Sequence, residues 1–175
     1  MKKIILAAIA VLTVSFANAQ EQTKKGKYLI EGNTSFGATR TGNTGFALSS
    51  EDGTTSWNIG AEGGYFVMDN LAVKAGFGYG DNGEDYASSI FSYKVGAKYY
   101  VINKIPVELS YTGASIKDAD ETPSYLGIQG GYAWFIGKNV SVEPGLRYNI
   151  TLNEDYGKDV LQILVLHYIS KIFMK

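Results

Sequence analysis

Cysteine is absent from this 175-residue chain, proline occurs only three times and histidine once. Without cysteine there is no disulfide framework, thiolate metal site or thiol nucleophile, so stability must come from packing and hydrogen bonds. Long apolar runs are scarce too. Beyond the N-terminal stretch none approaches the ~20 residues that a membrane-crossing helix needs, which excludes a helical membrane protein. No compositional break marks a linker or a second domain, and no basic patch suggests nucleic-acid binding.

The one long apolar run opens the chain. Lys2 and Lys3 precede Ile4 to Phe16, and Ala17-Asn18-Ala19 forms a small-x-small site before Gln20. This reads as a secretory signal peptide over residues 1–19, expected to be cleaved so that 20–175 form a single domain. Polar Asn18, Gln20, Glu21 and Gln22 cut the run short of a transmembrane anchor.

What is abundant is glycine (21), tyrosine (13) and phenylalanine (8), a bias towards strands and tight turns. Short turn signals stand at Met68-Asp69-Asn70, Ile102-Asn103-Lys104 and Gly137-Lys138-Asn139, one hairpin apart. Longer loop-forming stretches alternate with them, at 37–54, 81–88, 116–123 and 152–158. Eight segments remain: 27–36, 55–67, 71–80, 89–101, 106–115, 124–136, 140–151 and 159–169. Each is about as long as the ~9–11 residues of a tilted strand that crosses a bilayer.

Every second residue of these segments forms one uncharged face, as in Trp57, Ile59, Ala61, Gly63, Tyr65 and Val67, or Leu71, Val73, Ala75, Phe77 and Tyr79. Such a face is too aromatic and too continuous for water, which argues against a soluble lipocalin-like barrel and for lipid. The opposite face carries Glu31, Glu62, Lys74, Lys94, Lys98, Glu108, Glu143 and Arg147, four acids against four bases. The expected fold is therefore all-β: an eight-stranded antiparallel up-and-down transmembrane β-barrel whose narrow lumen is filled by side chains. Buried charges persist when paired, so these eight are expected to form a lumenal charge network. Which acid meets which base depends on strand register.

Short turns in such barrels face the periplasm and long loops face outwards, placing both chain ends in the periplasm and the barrel in the cell outer membrane. Charge divides along the same axis. The long loops with Asp159 carry a net charge of minus eight, eleven acids against Arg40, Lys117 and Lys158, whereas the termini and turns, Lys27 included, sum to plus five. The acids expected to be most exposed outside are Asp81, Glu84, Asp85, Asp118, Asp120 and Glu121. Aromatics near the two ends of the apolar face suit interfacial girdles: Trp57, Tyr79, Phe91, Tyr111 and Tyr148 at the outer end, Tyr28, Tyr65, Tyr99, Tyr132 and Trp134 at the inner.

The export end Ala17-Asn18-Ala19-Gln20, the strand from Trp57 to Phe66, and Gly130-Gly131-Tyr132-Ala133-Trp134-Phe135 with Gly137-Lys138-Asn139-Val140 carry a resemblance. On these residues the chain resembles the small outer-membrane β-barrels typified by OmpX and the OmpA barrel domain, as in porin-family proteins of Bacteroidetes. The resemblance concerns pattern, and implies architecture rather than activity. Family members usually end on a strand with a terminal aromatic; here Phe173 stands third from the end, and the segment 160–169 lacks clean alternation.

Some barrels of this kind modify lipid A with a His, a Ser and an acid near the outer leaflet. The single histidine, His167, falls near the periplasmic end and reads as an interfacial side chain, so no catalytic residue is assigned. Gly76-Phe77-Gly78-Tyr79-Gly80 lies within a strand and so fails the context of a phosphate loop. The acidic loops lack the spacing of a calcium loop, and neither a metal nor a cofactor is assigned. Three classes remain: a structural or interaction barrel displaying acidic loops, a small-solute pore and an envelope enzyme. The first is preferred, because a filled eight-strand lumen should not conduct freely. Its expected partners are outer-membrane lipid and lipopolysaccharide or an envelope or surface protein, with the barrel itself a monomer.

Overall fold

The computed structural model describes residues 22–33, 45–51, 54–81, 83, 89–117, 123–136, 139–154 and 158–171. The expected signal peptide lies outside them, as do Glu84, Asp85, Asp118, Asp120 and Glu121. Among the described residues no helix is long and apolar enough to cross a membrane, which says nothing of a β-barrel.

One antiparallel sheet contains all ten strand segments: β1 (Tyr28–Asn33), β2 (Gly45–Glu51), β3 (Thr54–Met68), β4 (Leu71–Asp81), β5 (Ser89–Val101), β6 (Ile105–Ile116), β7 (Ser124–Gly131), β8 (Trp134–Phe135), β9 (Val140–Thr151) and β10 (Val160–Lys171). Consecutive long strands pair up and down, so the turns Asp69–Asn70 and Ile102–Asn103 gather at one end, hereafter the turn end. Asn70, Ile102 and Asn103 have positive φ, and the last two in succession form a tight turn in which Lys104 N–H donates to Val101 O at 3.1 Å, with three residues between the paired Val101 and Ile105.

The sheet curves round on itself. β1 pairs with β10 through Tyr28–Asn33, and its other edge pairs with β3 through Tyr28–Glu31. Starting at Leu29, one lateral row runs through Gly64, Lys74, Gly96, Ser110, Gly127 and Asn149 to Val160. Leu29 itself meets Ser170, ten residues further along β10 than Val160. A ten-residue stagger round eight strands corresponds to a strand tilt of about 40°. The join covers the turn end only. Towards the loop end β2 takes the edge of β3 from Thr54 to Gly60, and among the described residues β2 pairs with nothing else.

Three features depart from the sequence expectation. β2 falls where 37–54 reads as a loop: the Gly, Asn, Ser and Thr around it outweigh Phe46 and Leu48 in the sequence signal, and its ladder to β3 is what makes it a strand. The expected single strand over 124–136 is divided into β7 and β8 in one continuous register. The gap lies opposite Pro144, which has no amide hydrogen for the ladder; Tyr132 N–H still donates to Pro144 O at 3.0 Å, while Ala133 N–H turns to Lys104 O at 2.7 Å. Finally, β10 runs on to Lys171, past the expected end at 169.

Alternation sorts the side chains. Outward stand Ile59, Val73, Phe77, Val95, Leu109, Ile128, Leu146 and Ile163, all strongly exposed. Inward, the turn end holds the only apolar cluster among the described residues: Leu29, Phe66, Ala72, Tyr100, Ala133 and Phe135, at 0–2% exposure. Phe66 and Tyr100 meet with ring centroids 6.1 Å apart.

Candidate functional site

Immediately above this apolar floor the inner face turns ionic, because the same inward positions that supply Phe66, Ala72 and Tyr100 supply Glu62, Lys74 and Lys98 at steps of two and four. All eight charges named from sequence are buried. Lys74 Nζ stands among three carboxylates, touching Glu31, Glu62 at 2.6 Å and Glu108 at 2.5 Å. Lys98 joins Glu31 to Glu143, each at 2.5 Å. Lys94 shares Glu62 Oε1 with Lys74, at 2.8 Å, and takes the other oxygen of Glu108 at 2.6 Å, which Arg147 also reaches at 3.4 Å.

The eight charges thus form one connected, electrically neutral cluster drawn from β1, β3, β4, β5, β6 and β9. Neutrality and mutual contact are what allow charge to persist at this depth; one unpaired member would cost several kcal/mol.

Residues that the charge pattern alone does not reveal complete it. Tyr100 and Ser141 hydroxyls donate to Glu143 Oε1 at 2.8 and 3.1 Å, tying the floor to the network. Arg147 donates from Nε to Asn149 at 2.7 Å and from Nη2 to Ser110 at 2.8 Å. The signal for Tyr100 was its place on the polar parity beside outward Tyr99; an apolar floor on that parity at the strand ends was missed. Gly127 gives Arg147 its room, since a Cβ there would run into the guanidinium.

Glu31, Glu62 and Glu108 place carboxylate oxygens within 4.8 Å of one another, a spacing compatible with a cation. The Lys74 ammonium already fills that role, so the donor set does not call for a metal.

The other named residues lie elsewhere. Tyr28, Trp57, Tyr65, Tyr79, Tyr99, Tyr111, Tyr132, Trp134 and Tyr148 are exposed on the outer surface. Trp57 and Tyr79 pair at 5.9 Å towards the loop end, and Tyr28 and Tyr65 at 5.1 Å at the turn end. Asp81, half-buried, ends β4 and accepts from Gly83 N–H at 2.8 Å. Asp159 accepts from Tyr148 OH at 2.7 Å and from Thr151 N–H at 2.9 Å, and these bonds, the tyrosine's first, hold its carboxyl below the usual range. The backbone of His167 lies between Gly32 and Val142 towards the turn end, away from the loop-end strand tips.

Comparison with protein families finds no match, and comparison with curated proteins finds none either. Among solved structures, the chain is similar to the N-terminal β-barrel domain of Pseudomonas aeruginosa OprF, with 12% identity, 84% of this chain and 98% of that one covered, and a TM-score of 0.47. It is also similar to the Yersinia pestis outer membrane protein Ail in a phospholipid bilayer nanodisc, with 12% identity, 84% and 100% coverage and a TM-score of 0.46. A de novo designed transmembrane β-barrel gives 12% identity, 86% and 99% coverage and 0.48. At such scores the functional reading rests on the geometry above.

Proposed function

We propose that this chain is an outer-membrane β-barrel of eight strands that serves as a rigid support for its outer loops, binding at the cell surface rather than conducting or catalysing. The observation that carries the reading is the blocked interior. Glu31, Glu62, Lys74, Lys98 and Glu108 have side chains at 0% exposure, and beneath them lies an apolar floor. Among the described residues these side chains fill the interior, and a filled eight-strand lumen should not conduct freely; an outer face bearing Phe77, Leu109, Leu146 and Ile163 in the open favours hydrocarbon as its solvent.

In this reading the signal peptide is removed, both ends lie in the periplasm, and Asp81, Glu84, Asp85, Asp118, Asp120 and Glu121 face outwards. Their charge attracts divalent cations, and through them lipopolysaccharide, or a basic envelope or surface partner. The test sets two variants side by side: those six acids replaced by Asn or Gln, and Lys94→Met with Glu62→Gln in the interior. Loss of cation-bridged lipopolysaccharide binding in the first variant alone, with no steady single-channel current in the native protein, is the expected result. Steady currents altered only by the interior variant, with surface binding unchanged by the loop variant, would overturn the proposal in favour of a pore.

A further inference from the structure

Several of the positive charges of the turn end lie beside β1. Lys24 and Lys25 are exposed, Lys27 is half-buried, and Lys171 occupies the register position against Tyr28. The segment carrying the first three is fixed in place. Gly26 N–H donates to Phe66 O at 2.9 Å, Phe66 N–H to Lys27 O at 2.9 Å, Asn70 N–H to Thr23 O at 2.7 Å and Lys25 N–H to Asp69 Oδ1 at 2.9 Å. The Thr23 hydroxyl adds a bond to Asn70 Oδ1 at 2.5 Å. Gly26, at φ +91°, reverses the chain between Lys25 and Lys27, which only glycine does without strain.

Asp69 is the one acid on this turn, and one of its oxygens is engaged by the Lys25 backbone, so among the described residues of this segment and turn three lysines stand beside one carboxylate. On the outer surface beside them the Tyr28 and Tyr65 rings pair at 5.1 Å, 47% and 39% exposed. Exposed tyrosines settle at the headgroup level of a bilayer, and lysines beside them reach the phosphates.

We propose that Lys24, Lys25 and Lys27, with Tyr28 and Tyr65, form a fixed collar that binds the phosphodiester headgroups of anionic phospholipids in the leaflet at the turn end. Because the tethers order the segment in advance, little freedom is lost when a headgroup binds. The inference rests on the membrane reading above, and its test separates the two.

The mature chain is refolded in phosphatidylcholine vesicles, with and without phosphatidylglycerol. Selectivity for spin-labelled phosphatidylglycerol over spin-labelled phosphatidylcholine is then measured at low and high salt. Each lysine near an anionic surface contributes about fivefold, so the native collar should show a several-fold preference that salt removes. Lys24→Gln, Lys25→Gln and Lys27→Gln together should abolish it while the heat-modifiable folded band persists. Neutralising the outer acids should leave it unchanged. A folded protein with equal selectivity before and after the three substitutions overturns the collar alone. So does retention on peptidoglycan that needs the lysines in the absence of any lipid preference. A chain that never gains a heat-modifiable form in phosphatidylcholine overturns the membrane reading, and the collar with it.

Discussion

Glu31 on β1 and Lys98 on β5, 67 positions apart, meet at 2.5 Å across the interior, between strands that are not neighbours in the sheet. The other Glu31 oxygen faces Lys74, so one carboxylate links two ammonium groups. Lys98→Met would strand Glu31 and Glu143 with less compensation and should destabilise by roughly 3–5 kcal/mol. Glu31→Gln combined with Lys98→Met should cost clearly less than the two single losses added. Urea midpoints of the folded, heat-modifiable band provide the check; strictly additive losses would show that the two do not interact.

Gly127→Ala should cost roughly 1–3 kcal/mol, the usual range for overpacking. Its methyl would displace a guanidinium held by Glu108, Ser110 and Asn149. Gly130→Ala, with nothing within 4 Å of the added carbon, is the matched control and should be close to silent. Equal midpoints for both variants would refute the packing account.

Phe66→Ala should lower stability by about 3–5 kcal/mol, since the side chain is fully buried in the floor. Even so, planar-bilayer recordings should remain silent, because the ionic layer above is intact. A steady current from this variant would mean that the floor alone seals the interior.

Asp159 supplies a pH-dependent bond at the loop end. Its folded carboxyl is held below the ordinary value, so its contribution is present above the unfolded pKa and is lost as pH falls through the lower, folded one. The Thr151 amide resonance should therefore titrate at more acid pH than an unperturbed aspartate and cease to do so in Asp159→Asn. A midpoint at or above the ordinary aspartate value would exclude the bond.

The sheet was largely legible in sequence because a strand has a period of two and this chain keeps it for most of its length. Trp57, Ile59, Ala61 and Tyr65 fall outward while Glu62 and Phe66 fall inward. β2 was not legible: Phe46 and Leu48 are too short an apolar signal against the Gly-, Asn-, Ser- and Thr-rich residues around them, and the pairing with β3 is what distinguishes the segment from a loop. The partner of each charge was not legible either, because contacts such as Glu31 with Lys98 depend on strand tilt and stagger, which no single segment records. Phe66, Tyr100 and Phe135 broke the inner parity's polar pattern only at the strand ends, where a change from ionic to apolar is visible once the strands are aligned.

The connected charges also set an order of events. Glu31 is synthesised before Lys74 and Lys98, and Lys98 before Glu143, yet each contributes to the neutrality of the others. A chain stopped after β5 would carry Glu31, Glu62, Lys74, Lys94 and Lys98 without Glu108 or Glu143, a cationic surplus turned towards hydrocarbon. On the outer-membrane reading, such an intermediate should resist entering the bilayer. β6 brings Glu108 and balances the count at three acids against three bases, and β9 then adds Glu143 and Arg147 together, so the network is neutral from β6 onward but complete only when β9 gives Lys98 its second carboxylate.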